Sequence, residues 1–338
     1  MATIKEIAEI VGTSTTTVSN VLHGKLNKVS KEMVEKVQKV VEETNYVLPM
    51  GMSVLTSKQS RIIGVAIWIP MHYESTIPAD PFYGNVVGAL ERLISSAGYY
   101  MMLYSSQSIE EIYKMALAWN VDGLVAMTLN YERYCKLSTI VKKPVVAIDL
   151  SGETKGDVYN VGIDDEEGGY LMTQYLISCG FEKILILAKT DTAIDHMRYR
   201  GYRRALQEAE LPNKKENFVL LSDYLAKRKQ QYDRLIDTMG KNCALFFLSD
   251  MLAIEAMGYF RKKGLRIPED VSVAGYDDIA VSHMMMPALT TVRQNIEQKA
   301  ELAGQMLLDI LEGKQVKDPV VMLPVNLCIR DSVRRPEK

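Results

Sequence analysis

The pattern of apolar residues changes at about residue 60, and this change constrains the fold more than any other feature. Residues 1–60 contain no run typical of a strand, whereas residues 61–338 alternate apolar runs with helical segments. Such alternation predicts parallel sheets joined by right-handed helical crossovers. The second part is long enough for two such sheets, with ligand-binding groups at the carboxyl ends of their strands. We therefore predict a small all-α head and an α/β core of two doubly wound parallel-sheet lobes.

The first 45 residues have the pattern of three short helices. Thr3 begins a capping-box pattern at the start of the first helix, and Gly12 suits a left-handed cap at its end. Ser14 is placed to cap a second helix, and a third helix runs to about Thr44. Two short helices joined by a tight turn that contains glycine, with a third helix as support, are typical of a helix-turn-helix domain.

The second predicted helix is crowded with short polar residues of poor helix propensity, namely Thr15, Thr16, Thr17, Ser19 and Asn20. Such side chains can reach phosphates and base edges in a major groove, although an ordinary capped surface helix would look the same. Residues 1–61 carry 8 Lys and Arg against 6 Asp and Glu, a net of +2, and the rest carries 32 against 36, a net of −4. A positive charge on residues 1–61 suits DNA binding, but this small charge alone does not show that these residues bind DNA.

Strong strand candidates define the predicted core. Residues 62–68 are an almost continuous apolar run, which is typical of a strand covered on both faces, and a helix over residues 83–97 follows. Because helical segments separate most of the later candidates, we expect parallel pairing. These further predicted strands cover residues 100–104, 123–127, 145–149, 184–188, 219–221, 244–248 and 271–275.

Composition argues against several classes of function. The 338 residues carry a formal charge of −2, which is not that of a polybasic coat for nucleic acid or membrane. With neither an apolar run of membrane-spanning length nor a secretory signal, the protein is expected to be soluble and cytoplasmic. The four cysteines and four histidines match no metal or redox spacing, so we expect neither a metal nor a cofactor. Catalytic and phosphate-binding glycine motifs are also lacking, so we do not expect an enzyme.

Several motifs occur in a fixed order along the chain. Residues 12–25 carry a helix-turn-helix signature, and Asp80-Pro81-Phe82-Tyr83 begins a second motif in the core. Residues 271–278 and 287–292 form two further blocks with characteristic spacing. Shorter matches are Asp122-Gly123-Leu124, Arg198 with Gly201-Tyr202, Ser249-Asp250 and Arg330-Asp331-Ser332. Together, these motifs resemble those of the LacI/GalR family of bacterial transcription regulators.

The resemblance implies a dimeric DNA-binding regulator, in the first place a repressor. Two heads on one dimer would bind double-stranded operator DNA with pseudo-palindromic symmetry. A small effector between two lobes, like those of periplasmic sugar-binding proteins, would change operator affinity. The implied domains are a helix-turn-helix domain (1–45), a hinge (46–60) and an effector-binding and dimerisation core (61–338). The core would have an N-lobe of about 61–160 and 293–322 and a C-lobe of about 161–292 and 323–332.

The resemblance also implies the DNA contacts. Asn20 stands where many members have an arginine that contacts guanine, and because asparagine pairs best with adenine we expect a different half-site. A contact of Asn20 with phosphate alone is the alternative. Leu55 matches a leucine that members push into the minor groove. Gly51, however, costs a helix about 1 kcal/mol relative to alanine, so a flexible linker stays open. The expected DNA contacts are Ser14, Thr15, Thr16, Thr17, Ser19, Asn20, His23 and Leu55.

An effector site is implied at the ends of the core strands. Asp149, Arg198 and Asp277 fall at positions where the family binds ligand hydroxyls or other polar groups. Trp68 and Tyr224 are expected to stack on a ring, with core packing as the alternative for Trp68. The other expected effector contacts are Phe82, Tyr83, Met127 and Ser249.

A sugar or sugar phosphate is the expected effector, because the two aspartates and the arginine suit hydroxyl groups. A purine or nucleoside effector and a partner protein as co-regulator stay open. A solute-binding protein without DNA binding is a further alternative, against which the complete head argues. The acidic run Asp164-Asp165-Glu166-Glu167 is expected to begin a helix, where negative charge favours the helix dipole, rather than to bind a metal.

Overall fold

The structure is a computed structural model that describes residues 2–334 apart from 23, 45, 47–58, 70–79, 153–154 and 241. His23, Leu55 and Gly51 lie outside the described residues. Two compact units are defined, one within residues 1–62 together with Trp119–Asp122, and one within residues 63–118 and 123–338. Among the helices of the described ranges, none is both long and apolar enough to cross a membrane.

The first unit contains the predicted three-helix head. Its helices are α1 (Ile4–Val11), α2 (Thr15–Leu22) and α3 (Lys31–Glu43), with a 3-10 turn at Leu26–Lys28. One face of each helix is apolar, and these faces pack together because burial of apolar surface stabilises helices that are short on their own. The buried centre of the head is formed by Ile7, Ala8, Val18, Val21 and Val37.

Local capping interactions set the bounds of α1. The Glu6 amide donates to the Thr3 hydroxyl at 3.2 Å, and the Thr3 amide donates to the Glu6 carboxylate at 2.7 Å. Gly12 ends the helix at a φ of +71°, which residues with a side chain rarely adopt. The predicted capping box and glycine cap are therefore confirmed.

Strands and helices alternate through the second unit. Its strands are β1 (Ile62–Trp68), β2 (Tyr100–Ser106), β3 (Gly123–Met127), β4 (Val145–Ile148), β5 (Tyr159–Ile163), β6 (Lys183–Ala188), β7 (Phe218–Leu220), β8 (Cys243–Phe247), β9 (Ser272–Asp277), β10 (Thr290–Arg293), β11 (Val320–Leu323) and β12 (Asn326–Cys328). Its helices are α4 (Pro81–Ser96), α5 (Ile109–Ala118), α6 (Tyr131–Val141), α7 (Asp165–Ser178), α8 (Ala193–Glu208), α9 (Leu225–Thr238), α10 (Asp250–Lys262), α11 (Ala280–Met284) and α12 (Ile296–Leu311).

These strands form two six-stranded sheets, ordered β11-β5-β4-β3-β1-β2 and β12-β10-β9-β8-β6-β7. The defined strand pairs are parallel except for β10 with β12. The chain passes to the second sheet after β5, returns through α12 after β10, and leaves the first sheet again after β11. The predicted fold class, a helical head with a two-lobe α/β core, is confirmed.

Some strands were not predicted from sequence. β5 contains Asn160 and Gly162, residue types that are depleted in strands, and β11 is an edge strand with two exposed apolar side chains, Val320 and Met322. β9 extends two residues beyond its predicted end, to Asp277. These differences arise because pairing with neighbouring strands overrides weak local preference.

Candidate DNA-reading helix and effector cavity

Helix α2 has one buried face and one polar face. Val18 and Val21 are buried in the head, whereas Ser14, Thr15 and Thr16 are exposed. The Ser14 hydroxyl accepts a hydrogen bond from the Thr17 amide at 3.1 Å and so caps the helix. The apolar contacts thus fix the orientation of α2 within the head.

The polar face of α2 combines two neighbouring rows of short side chains. Thr15 and Ser19 are four residues apart, as are Thr16 and Asn20, and residues at this spacing lie side by side on a helix. Ser19 and Asn20 are half-buried. Hydroxyl and amide groups on such a partly exposed face can donate to and accept from base edges and phosphates.

A cavity of about 480 Å³ lies where the carboxyl ends of strands from both sheets meet. Its position follows the rule that open α/β sheets bind ligands beyond the carboxyl ends of their strands. Seven of the nine side chains expected from sequence line it, namely Phe82, Tyr83, Met127, Asp149, Arg198, Ser249 and Asp277.

The two side chains expected to stack on a ligand, Trp68 and Tyr224, are not part of this lining. The Trp68 indole donates to the Gln107 carbonyl at 3.0 Å, and the Arg133 guanidinium lies 3.8 Å from the centre of its ring. Tyr224 precedes α9 and is 45% exposed. Trp68 is half-buried, so its contacts lie outside both the cavity lining and the apolar core.

Arg198 is held by protein groups on several sides. Its Nε donates to Asp165 at 2.8 Å, its Nη1 donates to the Leu248 carbonyl at 2.7 Å, and its guanidinium lies 3.6 Å from the centre of the Tyr276 ring. Burial raises the pKa of Asp165 to about 6, although the charge of Arg198 opposes this shift. Burial alone would lower the pKa of Arg198, but Asp165 and other acidic groups raise it above its usual value.

The acidic run that contains Asp165 begins α7, as predicted. Asp164 caps the helix by accepting a hydrogen bond from the Glu167 amide at 2.9 Å. Asp165, in the first turn, is used by Arg198. The acidic run at the start of α7 therefore also orients Arg198, a cavity residue on the neighbouring helix α8.

A series of buried contacts connects the two lobes beside the cavity. Lys299, on the face of α12 that packs against the first sheet, has a side chain with no exposed surface. Its ammonium donates to Asp149 Oδ2 and to Gln294 Oε1, both at 2.6 Å. The Gln294 amide nitrogen donates in turn to Asp277 Oδ1, also at 2.6 Å. Asp149 follows β4 of the first sheet and Asp277 ends β9 of the second, so the series spans both lobes.

The backbone is strained at both ends of this series. Asp149 has a φ of +56° and Asp277 a φ of +122°, values that are uncommon for residues with a side chain. Burial raises the pKa of Asp277 well above its usual value, against the effect of Arg198. Strained, buried carboxylates at strand ends are typical of binding sites, because strain persists where the surrounding contacts hold it.

The neighbours of these groups have structural partners of their own. Asp278 pairs with Arg293 at 2.6 Å and with Arg330. Asp250 accepts hydrogen bonds from the Ser282 and Thr291 hydroxyls, both at 2.5 Å, which ties α10 to α11 and β10. These carboxylates stabilise the frame around the cavity.

Several lining residues were not predicted. Lys189 and Gln294 directly follow β6 and β10, the same signal that identified Asp149 after its strand. Arg228 and Glu255 lie on two helices and form a two-bonded ion pair, with both distances 2.8 Å. No sequence pattern brings these two together, since the contact depends on how α9 packs beside α10. The unpredicted polar lining residues are Asp80, Thr128, Lys189, Asp195, Arg228, Glu255 and Gln294.

A helix-turn-helix head and a two-lobe α/β core with a cavity at its strand ends define a DNA-binding transcription regulator. Residues 3–48 match the family described as bacterial regulatory proteins, lacI family. Residues 173–333 match the periplasmic binding protein-like domain. The chain belongs to the LacI family and is a DNA-binding transcriptional repressor of that family.

The similar proteins cover nearly the whole chain. The HTH-type transcriptional repressor PurR of Haemophilus influenzae (strain PittEE) is 32% identical over 348 residues, covering 99% of each chain. A Lac repressor dimer, solved bound to operator and the anti-inducer ONPF, is 25% identical with a TM-score of 0.82, covering 98% of each chain. The transcriptional regulator CelR, solved as a cellobiose complex, is 25% identical with a TM-score of 0.72, covering 98% of this chain and 100% of that one.

Proposed function

We propose that the chain represses transcription as a homodimer bound to a pseudo-palindromic operator in the cytoplasm, and that a small effector in the cavity changes its operator affinity. The observation that carries this proposal is the exposed polar face of α2 on a helix that Val18 and Val21 anchor in the head. A helix held in this way presents a fixed set of donors and acceptors to a major groove. The Lac repressor relative solved on its operator supports the same use of the head.

Within the head, we assign base reading to three side chains. Thr15 and Thr16 are exposed at the start of α2, and Asn20 lies one turn beyond Thr16. A two-bonded contact of Asn20 with adenine would contribute about 1–3 kcal/mol of discrimination. Backbone or supporting contacts are assigned to Ser14, Thr17, Ser19 and His23, and the minor-groove contact to Leu55.

We propose that the effector bridges the two lobes. Asp149 belongs to one lobe and Arg198, Ser249 and Asp277 to the other, and all four line one cavity. An effector that binds one lobe arrangement more tightly shifts the population toward it, and the same coupling energy then changes operator affinity.

A sugar is our first candidate for the effector, since carboxylates accept directional hydrogen bonds from neighbouring hydroxyls. The CelR relative, solved with cellobiose, supports this candidate. A purine or nucleoside is the second, because Phe82 and Tyr83 at the cavity offer ring faces on which a base could stack.

Selection of the purified full-length protein against random duplex DNA at fixed salt tests the DNA-binding part. Salt must be fixed because phosphate contacts make affinity strongly salt-dependent. We expect enrichment of a two-fold symmetric site, and we expect Asn20→Ala to relax the preference at one base pair in each half-site. Glu35→Ala, on the exposed side of α3, is the control. Failure to enrich any site would refute the operator proposal, and an unchanged preference in Asn20→Ala would refute base reading by this residue.

A further inference from the structure

Lys299 is a lysine in the apolar stripe of α12, a helix whose opposite face is exposed. It lies between Ile296 and Ala303 on the face of α12 that packs against the first sheet. Burying an ammonium is costly unless it is paired, so such a residue needs a specific partner. Here the partners are Asp149 and Gln294.

The ammonium determines what Asp149 offers to the cavity. One carboxylate oxygen, Oδ2, accepts from Lys299 at 2.6 Å. The other, Oδ1, is buried and has no hydrogen-bond partner in the part of the chain that the structure describes. A buried acceptor without a partner is unfavourable, and a donor supplied by a ligand would satisfy it. Lys299 pairs with the Asp149 carboxylate, and carboxylate oxygens are hydrogen-bond acceptors.

The same ammonium also fixes the orientation of Gln294. Because Gln294 Oε1 accepts from Lys299, its amide nitrogen is the atom that faces Asp277 and donates to it. Asp277 thereby uses Oδ1 within the protein, and this hydrogen bond opposes the rise in pKa that burial causes and so favours the ionised, accepting form. One buried cation thus arranges two carboxylates, one from each lobe.

The basic groups of the cavity are not arranged to bind an anion. Arg198 is paired with Asp165, and Arg228 is paired with Glu255 through two hydrogen bonds. Lys189 lies near the acidic groups of Glu255 and Asp195. The lining contains the carboxylates Asp80, Asp149, Asp195, Glu255 and Asp277 against the cations Lys189, Arg198 and Arg228. A phosphate or carboxylate ligand would therefore add negative charge to an acidic site whose arginines are already used.

We propose that Lys299 is a positioning residue that sets the effector class. Lys299 holds Asp149 as a hydrogen-bond acceptor directly, and it holds Asp277 as an acceptor through Gln294. This arrangement selects an unphosphorylated polyol, namely a mono- or disaccharide whose hydroxyls donate to both lobes. This inference rests on the proposed effector function of the cavity. The sequence predicts a sugar or a sugar phosphate as the effector, and this inference selects the unphosphorylated sugar.

The first experiment measures the thermal unfolding of the full-length protein with a panel of compounds at millimolar concentration. The panel contains D-ribose, D-glucose and cellobiose, the compounds ribose 5-phosphate and glucose 6-phosphate, and adenosine and hypoxanthine. We expect at least one of the three unphosphorylated sugars to raise Tm, because a ligand that binds only the folded protein stabilises it. A phosphate ester, nucleoside or nucleobase that binds more tightly would overturn the effector class, and so would a panel in which no sugar raises Tm. The selection of operator DNA is a separate measurement. If it fails while a sugar still binds, the proposed DNA-binding function is refuted and the effector class is not.

The second experiment tests the role of Lys299 through selectivity. For the sugar that binds, we compare its affinity with that of its 2-deoxy analogue, which lacks one donor. A lost hydrogen bond to a charged group should weaken binding by about 10–100-fold in the natural protein. In Lys299→Met, both affinities should fall and their ratio should approach one, since the acceptors are no longer held in place. If Lys299 were merely structural, the two affinities would fall together and the ratio would be unchanged, which would overturn the proposal.

Two further variants keep this result interpretable. Lys299→Met leaves Asp149 as an unpaired buried carboxylate, so its Tm should fall, and adding Asp149→Asn should recover most of the loss because both charges are then gone. This double variant is used if the single variant does not fold, and its selectivity ratio should also approach one. Lys314→Met removes an exposed lysine and should leave both Tm and the ratio unchanged. A ratio in the double variant equal to that of the natural protein would also refute the positioning role.

Discussion

Helices α7 and α8 approach each other so closely that two glycines on their contact faces cannot be replaced without movement. A methyl group on Gly201 of α8 would lie 2.6 Å from the Tyr170 amide nitrogen and closer still to the Glu166 carbonyl oxygen. A methyl group on Gly169 of α7 would lie 2.8 Å from the Arg198 carbonyl carbon. All of these obstacles are backbone atoms, which cannot rotate away as a side chain can.

Gly201→Ala should therefore force α8 away from α7. Bringing the contact with the Tyr170 nitrogen from 2.6 Å to the roughly 3.5–4.0 Å of normal packing requires a shift of about 1 Å, and the closer contact with the Glu166 oxygen requires a larger one. Overpacking of this kind costs about 1–3 kcal/mol, and we expect the upper half of that range because backbone has to move. For a core of this size, the loss corresponds to a Tm roughly 3–5 °C lower. The shift would also separate Arg198 from Asp165, since these two residues lie on the two helices.

Thermal unfolding of the full-length variant, followed by circular dichroism, measures this effect. Gly88→Ala is the matched control, because it is also a glycine in a helix and a methyl group there would meet no atom within 4 Å. Since alanine favours helices over glycine by roughly 0.5–1 kcal/mol, the control should keep or raise Tm. An unchanged Tm in Gly201→Ala, or an equal loss in the control, would refute the inference that close backbone packing holds α8 in place.

Three other predictions concern the cavity, its frame and the head. Asp277→Ala should weaken binding of the sugar effector by about 10–100-fold, measured by isothermal titration calorimetry, and an unchanged affinity would remove this residue from the site. Burial raises the pKa of Asp250 to about 6 from an ordinary 3.8, so the stability it contributes is greatest below pH 4 and is lost as pH rises through about 6. Asp250→Asn should remove this loss of stability, which is roughly 3 kcal/mol. Urea unfolding at pH 4 and pH 7 measures the free energy of unfolding of both proteins. If the difference between the two free energies is the same at both pH values, the assignment is contradicted. Thr3→Ala should lower the stability of the head by about 1 kcal/mol through loss of its capping box, and an unchanged pattern of amide exchange in α1 would argue against that role.

Sequence was sufficient for the head because its determining contacts are local. Thr3 reaches a residue three positions away, and Gly12 ends its helix through its own backbone angle. The apolar stripes of α1, α2 and α3 then pack against one another. For the same reason, continuous apolar runs were enough to predict β1 and most of the other core strands.

The sequence also indicated where the cavity would be, since Asp149 and Asp277 were expected at strand ends. Its polar network was a matter of tertiary structure. Lys299 contacts Asp149 from 150 positions away, and Arg198 contacts Asp165 from 33 positions away. The place of Lys299 in the apolar stripe of α12 indicates that it faces the core, but no local pattern identifies its partners.

Sequence by itself therefore determined the helices of the head, the order of the core elements and the strand ends that carry charge. Only the tertiary structure decided that Trp68 contacts Gln107 and Arg133 instead of lining the cavity. It also decided that Lys299 is buried between the Asp149 carboxylate and the Gln294 amide. The physical reason is that helix caps and apolar periodicity act over a few residues, whereas a buried ion pair depends on which strands become neighbours. That order is set only when the two sheets assemble.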